Sequence, residues 1–565
     1  MITLGINSFF EHPSIALLCD GKIIFAAEDE RFTGIKHGRA YSPYSSYIPF
    51  DALYHGLRYC GLTSKDISEV AFSYSKWEHL RSLSGCFTGK RISSFSEEIA
   101  AFFSLCNIPK LLSSGYQLRE FYRSVINPDD FKKIPFREWP HHLSHAASAF
   151  YPTSFEDALV IVADGAGENA CTSVYYSRDN QLSLQRIHDL PNSLGHFYSY
   201  VTKYLGFQPF SDEFKVMGLA AYGQQNYTEQ LRKALKLEAG GSYSVDLLAA
   251  QNLRKLLPEG RRPHEAITQI HKDIAKSVQV VLEEILVHIV SYHMHRSGSR
   301  NLCLAGGVFL NCVANGKLAS LDSVENVYVH PASSDAGTAV GAAILSYNDK
   351  KGPQKINIES MALGTEYSDE LIEKHIQRKG ITKFNKLDDS ELVQQVARLI
   401  TENKIVATFR GRMEFGPRAL GMRSLLANPA DNSTKDKLNE LKGRENFRPV
   451  APIILDSAFD RYFEGYQDPH MLFTCQTKEA ARTQLPSAVH ADNSARAQTV
   501  GQHDNPFLYD LLSTLESSGA PPCVINTSFN IQGKPIIESP VHALDCFMST
   551  SVDALVIGSF LIEKK

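Results

Sequence analysis

The chain has 565 residues, 43% hydrophobic and 21% charged, with a formal net charge of -4. That length exceeds one ordinary core, so two or more domains are expected, and the composition is that of a globular protein in water. Charge of both signs spread along the chain argues against a nucleic-acid partner. No apolar run is long enough to span a bilayer, and the opening MITLGINSFF lacks the basic start of a signal peptide. Ten cysteines without a CxxC pair point to reduced thiols in a cytoplasmic protein.

ITLGINS at the start reads as a strand. SIALLCDGKIIFAAE follows as a hairpin, because Asp20-Gly21 suits a type I′ turn. ALVIVADGAGE, from Ala158, is a buried strand ending in a glycine turn. Residues Ile267 to His295 carry a long helical pattern that stops near Gly298. NLCLAGGVFLN, from Asn301, repeats the strand and glycine turn and predicts a helix after it. Strands ending in glycine turns with helices between them define an α/β class. The polar stretch Asp349 to Ser360 marks a boundary, giving domains of 1–355 and 356–565. Beyond it, Leu392 to Asn403 reads as a helix, and IVATFRG and PPCVINTSFN as strands. Gln476 to Asn505 reads as irregular surface loops, and no tandem repeat is visible.

His141 and His145 in HHLSH are four apart, which on a helix puts both imidazoles on one face and leaves His142 off it. With Asp164 and Asp335, each beside small residues, they form a candidate set for ferrous iron or zinc. The ordinary alternative is a pair of hydrogen-bonded histidines near a helix start. Gly165 and Gly167 in DGAGE, and Gly306 and Gly307 with Asn311, are glycine turns whose backbone N–H groups can face a phosphate. Together they suggest a nucleotide held between two lobes.

In the second domain, GRMEFGPRALGMRS places Arg412, Arg418 and Arg423 around glycines; they are either a solvated run or anion ligands. Lys442, Arg444, Arg448 and Arg496 add charge, and Asn526, Thr527, Ser528 and Asn530 follow a strand. A basic, hydroxyl-lined pocket suits a triphosphate and a small anion.

These motifs resemble, over nearly the whole chain, the O-carbamoyltransferases of the nodulation and antibiotic-biosynthesis type. EDERFTGIKH, HHLSHAASAF, VADGAGE, FKVMGLAAYG, LAGGVFLN, HPASSDAGTAVGAA, GRMEFGPRALGMRS, FRPVAP, NSARAQTV and NTSFNIQGKPI occur in that order. The resemblance implies an actin-like domain of the tRNA-threonylcarbamoyl-transferase kind fused to a YrdC-like domain of the threonylcarbamoyl-adenylate synthase kind. It implies that the second domain makes carbamoyl adenylate from carbamoyl phosphate and ATP with magnesium. Lys442, Arg418, Arg448 and Arg496 would hold the anions, with Ser528 at the carbamoyl end. The first domain would pass the carbamoyl group to a hydroxyl of a small-molecule acceptor, natural-product or sugar-like. There His141, His145, Asp164 and Asp335 would bind a divalent metal, iron by closest comparison, and Gly306, Gly307 and Asn311 would form the nucleotide loop. His12 would lie beside the carbamoyl group, and Lys36 near the transfer site. Phe9 and Phe10 beside His12 favour a neutral, partly apolar or glycosidic acceptor over a polycation. A homodimer is left open. The alternatives are threonylcarbamoyl transfer to tRNA, which the missing basic excess disfavours, and an actin-like ATPase or chaperone module.

Overall fold

The computed structural model describes residues 1–8, 11–38, 48–75 and 134–564; Phe9 and Phe10 lie outside them. The chain divides into two units, Met1–Glu30 with His37–Glu359, and Arg31–Lys36 with Ser360–Lys565. The first division after Glu359 rather than 355 has a local cause. The Lys355 ammonium donates to the Phe150 carbonyl at 3.1 Å and lies 3.2 Å from the centre of the Phe150 ring. The Ile356 amide donates to the Tyr151 carbonyl at 3.0 Å. The polar stretch is therefore docked on the first unit until four residues later. Segment Arg31–Lys36 joins the second unit, where the buried Arg31 guanidinium donates to the Gly416 carbonyl.

Among the described residues, the first unit holds a two-stranded sheet, Leu235–Glu238 with Ser242–Val245, and two five-stranded ones. One runs Lys22–Glu28, Ser14–Cys19, Ile2–Asn7, Ile67–Phe72, Phe136–Glu138. The other runs Gln181–Asp189, Ala170–Arg178, Ala158–Ala163, Asn301–Ala305, Asn326–Val329. Each is an antiparallel three-strand meander whose first strand pairs in parallel with a fourth, and that with a fifth. This duplication fits an actin-like domain, and it lies in connectivity rather than in repeated sequence. The Asp20-Gly21 turn takes positive φ at both residues, 44° and 84°, as a type I′ hairpin requires.

Two small-faced helices, His141–Phe150 and Thr338–Lys351, pack on each other. The first also lies on the Ala158–Ala163 and Asn301–Ala305 strands, and the second on Ile2–Asn7 and Ser14–Cys19. Small residues permit this. A Cβ on Gly341 would fall 1.7 Å from the Ser144 carbonyl oxygen, and one on Gly5 would fall 1.9 Å from that of Ala339. All six side chains of Ala158–Ala163 are buried, and each large one contributes roughly 1.5–3 kcal/mol. The long helix is Gln269–Ser297, closed by Gly298 at φ 71°. No helix among the described residues is long and apolar enough to cross a membrane.

The second unit holds an eight-stranded mixed sheet in the order Asn385–Lys386, Phe560–Glu563, Ala554–Ile557, Val406–Phe409, Arg423–Ala427, Cys523–Ser528, Ala451–Leu455, Gln498–Val500. A helix at Asp389–Thr401 begins three residues before the sequence expectation, because Asp388 and Glu391 form a capping box. The expectation of irregular loops over Gln476 to Asn505 is overturned. Gln498–Val500 is fully buried and pairs with Ala451–Leu455, and Cys475–Thr477 and Ser494–Ala495 form part of a second small sheet. These strands are too short to show a period in sequence.

Candidate functional site

His141 opens its helix and His145 follows one turn later; both side chains are fully buried. Asp164 ends the strand Ala158–Ala163, and Asp335 opens the turn before Thr338. His145 Nε2 lies 3.2 Å from Asp164 Oδ2 and 3.7 Å from Asp335 Oδ1; His141 Nε2 lies 3.5 and 3.6 Å from the same atoms. One donor atom from each residue falls within 4.8 Å of all the others, a group that could hold a metal ion.

The surroundings fit that use. The Nδ1–H of His141 donates to the Ser73 carbonyl at 3.2 Å, so Nε2 is the atom turned toward the carboxylates. Asp164 Oδ1 accepts the amides of Gly165 at 2.7 Å and Gly307 at 3.3 Å, which turns Oδ2 toward the imidazoles. Asp335 Oδ2 accepts the Glu11 amide at 3.1 Å, which leaves Oδ1 toward them. Two imidazoles and two carboxylates suit a borderline divalent ion. Burial works against charge on His141, but the carboxylates of Asp164 and Asp335 raise it to about 10. Burial likewise opposes ionisation of Asp164, yet the two imidazoles hold its carboxyl well below the usual range. His142 bonds Ser173 Oγ at 2.8 Å instead, and burial followed by its histidine neighbours pushes it down. Glu168, missed in sequence, accepts the amides of His141 and Ser75 and so caps a helix whose N-cap is Pro140.

The glycine turns do not offer amides to a phosphate as expected. Gly165 and Gly307 spend theirs on Asp164; Gly167 donates to the Ala170 carbonyl and Gly306 to that of Ser333, each at 2.8 Å. Their role is close approach: a Cβ on Gly307 would sit 3.1 Å from Asp164 Oδ1, and one on Gly167 3.0 Å from the His141 Cβ. Asn311 is committed too. It caps the helix Cys312–Ala319 and exchanges two hydrogen bonds with Gln279, at 2.8 and 3.1 Å.

His12 lies in a turn tied to this cluster. Asn7 donates to the carbonyls of Glu11 and His12, both at 2.9 Å, and Ser14 Oγ donates to the Ala336 carbonyl at 2.9 Å. His12 Nε2 is 2.8 Å from His37 Nδ1, and His37 Nε2 is 3.0 Å from Ser211 Oγ. His37 was missed; its only sequence signal was its place in EDERFTGIKH. His12 and His37 both hold positive φ, 55° and 63°, a conformation costing on the order of 1–3 kcal/mol each.

In the second unit, Lys442 follows the helix Thr434–Leu441 and is 6% exposed. Its ammonium donates to Ser528 Oγ at 2.8 Å, to Asn530 Oδ1 at 2.7 Å and to the Ser528 carbonyl. Burial, then the charges of Arg444, Arg448 and Lys36, hold it well below the usual lysine range. Burial, then Arg448 and Arg496, push the Arg444 guanidinium down to about 9. Its Nη2 is buried with no hydrogen-bond partner among the described residues. The structure thus gathers Lys442, Ser528, Arg448, Arg496 and Lys36 in one unit. Lys36, implied near the transfer site, lies with the second unit.

The arginines of GRMEFGPRALGMRS divide. Arg423 is fully buried on the Phe409 ring at 3.8 Å and donates to the carbonyls of Arg410, Gly411 and Met422. Arg412 donates to those of Gly364 and Leu363. Carbonyl oxygens take up N–H groups of both guanidinium groups, and the carboxylates of Glu414 and Glu538 act on the Arg423 charge. Arg418 is half-buried in the same loop, which folds around Glu414 as it accepts the amides of Leu420, Met422 and Arg423.

An α/β unit with a candidate metal centre and a second with desolvated cations is the class that fold and site define. The family profile described as Carbamoyltransferase N-terminus matches residues 2–344, and Carbamoyltransferase C-terminus matches 397–564. "Uncharacterized protein sll1178" of Synechocystis sp. is 34% identical over 615 residues, covering 99% of this chain and 96% of the relative. "Nodulation protein NolNO" of Sinorhizobium fredii is 33% identical over 574 residues, covering 99% and 80%. A solved structure, HypF of T. kodakarensis, is similar over 63% of this chain and 49% of its own at 13% identity and TM-score 0.35, too slight a likeness to bear on the fold. The chain belongs to the carbamoyltransferase family and is accordingly a transferase.

Proposed function

We propose that the protein is an ATP-dependent O-carbamoyltransferase acting on a small-molecule hydroxyl. In the second unit, water cleaves carbamoyl phosphate to carbamate and inorganic phosphate; the carbamate attacks the α-phosphorus of magnesium ATP, and pyrophosphate leaves. In the first unit, the acceptor hydroxyl attacks the carbamoyl carbon and AMP leaves. The observation that carries this reading is Lys442, a buried ammonium held by Ser528 and Asn530 with the charges of Arg444, Arg448 and Lys36 acting on it. A desolvated ammonium and a desolvated guanidinium, with further cations acting on them, suit two anionic reactants whose transition state gathers charge on phosphate oxygens.

Arg418, Arg448 and Arg496 bind the phosphates, and Ser528 holds the carbamoyl end. His141, His145, Asp164 and Asp335 would hold a divalent ion, iron by preference, which when bound would supply a Lewis acid for the adenylate's phosphate. His12 takes the hydroxyl proton, a general-base role open to an imidazole lone pair. The acceptor is natural-product or sugar-like, with no nucleic acid or membrane partner, and the protein works in the cytoplasm, as a monomer or a homodimer.

The test is pyrophosphate release from ATP. Strict dependence on carbamoyl phosphate is expected; release driven by threonine and bicarbonate would replace this reading with threonylcarbamoyl transfer.

A further inference from the structure

We propose that His37 is a positioning residue for His12, fixing its tautomer through a chain that ends on Ser211. This rests on the transfer reading above and deepens it. The two contacts in the chain, 2.8 Å from His12 Nε2 to His37 Nδ1 and 3.0 Å from His37 Nε2 to Ser211 Oγ, each hold one proton. With both imidazoles neutral, the chain has two proton orders. In one, Ser211 donates to His37 and His37 to His12, which forces the remaining proton onto His12 Nδ1. That atom is buried with no hydrogen-bond partner among the described residues, and an orphaned N–H is the costlier group to bury. In the other order, His12 Nε2–H donates to His37 Nδ1, and His37 Nε2–H donates to Ser211 Oγ. His12 Nδ1 then carries a lone pair, the form a proton acceptor needs.

The backbone is organised around this contact. The rings meet edge-on, 4.9 Å between centroids at 87°. Both residues sit in left-handed conformations. The His37 amide is held by Glu30 Oε2 at 2.6 Å, and the neighbouring amide of Glu11 is held by Asp335 at 3.1 Å. Strain tolerated on both sides of one hydrogen bond is a mark of a contact the site needs. In the reaction, the acceptor must first displace what covers His12 Nδ1; its oxygen then bonds to the carbamoyl carbon and its proton passes to that nitrogen. The electron pair of the breaking carbon–oxygen bond leaves with AMP. The Nε2–H bond to His37 strengthens as His12 becomes cationic.

The experiment uses the full chain labelled with ¹⁵N-histidine, as wild type, H37N, H37F and S211A. Asparagine can accept from His12 Nε2–H where His37 Nδ1 does; phenylalanine keeps the ring and cannot. Wild type is expected to show His12 protonated at Nε2 and bare at Nδ1, H37N to keep that pattern, and H37F and S211A to mix the tautomers. With ATP and carbamoyl phosphate, and water as the hydroxyl probe, AMP release should fall on the order of 100-fold in H37F and under tenfold in H37N. The first-turnover burst of pyrophosphate reports the second unit separately, so its absence from wild type would sink the transfer reading while the nitrogen spectra still judge His37. A proton on Nδ1 of wild-type His12, or identical spectra and AMP release in H37F and wild type, would overturn the proposal.

Discussion

Asp164→Asn isolates the metal centre with little disturbance to the fold. Oδ1 of Asp164 is anchored by the amides of Gly165 and Gly307, and asparagine can keep both bonds. Oδ2, at 3.2 Å from His145 and 3.5 Å from His141, becomes an NH₂ with no lone pair to give. The site loses one of four donors and one of two negative charges. Losing only a supporting residue lowers metal affinity roughly 10–100-fold, so loss of a ligand should weaken it about 100-fold or more. With ferrous or zinc ion at about 100 times the wild-type Kd, wild type gains about 2.7 kcal/mol; the variant, at its own Kd, gains RT ln 2, about 0.4 kcal/mol. At roughly 2 °C per kcal/mol for a unit this large, chelator-stripped protein should melt about 5 °C higher with metal, and the variant about 1 °C higher. Thermal melts under metal titration, with metal content by elemental analysis, give both numbers. An equal shift in the two proteins, or wild type that neither retains metal nor shifts, would refute the assignment.

Gly341→Ala should destabilise the first unit by about 3 kcal/mol or more, read by denaturant melts. Its Cβ would fall 1.7 Å from the Ser144 carbonyl, a backbone atom that cannot rotate away; a loss under about 1 kcal/mol would mean that the two helices are not in contact. Asp29→Asn should gain stability as pH rises. Burial raises the Asp29 carboxyl from 3.8 to about 7, so the folded state holds its proton more tightly than the unfolded chain and stability drains between about pH 4 and 7. The variant and wild type should melt alike near pH 4 and differ by up to about 4 kcal/mol at pH 8; a gap that does not widen with pH refutes the assignment.

What was legible in the sequence was what local pattern decides. Asp20-Gly21 announced its turn because two adjacent positive-φ residues are a property of the dipeptide. His141, His145, Asp164 and Asp335 were legible because helical spacing and strand ends fix where side chains point. What stayed hidden depends on partners distant in sequence. Nothing in DGAGE says that Gly165 and Gly307 will share one carboxylate 143 positions from the second glycine. Nothing in GMRS says that Arg423 will be buried on carbonyls of its own loop, beside the Glu414 and Glu538 carboxylates, rather than held out for a ligand. His37 became informative only once the fold set its ring on His12.

Lys442 sets stability against function, and Lys442→Met separates them. Burial and the neighbouring cations depress its folded-state affinity for a proton below the ordinary value of 10.5. A base so depressed is disfavoured in its charged form by the fold. The penalty is complete below the folded pKa and fades as pH rises toward the unfolded value. Methionine fills similar space without charge. Ser528 Oγ keeps its bond to Asn530 Oδ1 at 2.8 Å, which limits the cost of the lost donor. The melting temperature of the variant relative to wild type should therefore rise as pH is lowered from about 10 toward neutrality. The same substitution removes the charge that receives the anion. Pyrophosphate should stabilise wild type and not the variant, and carbamoyl phosphate-dependent pyrophosphate release should fall by about 100- to 1,000-fold, the usual cost of one preorganised donor. If pyrophosphate stabilises both proteins equally, the anion sits elsewhere and Lys442 is a structural lysine. If instead the variant gains stability while losing the anion's effect, the buried charge is held for its ligand at the fold's expense.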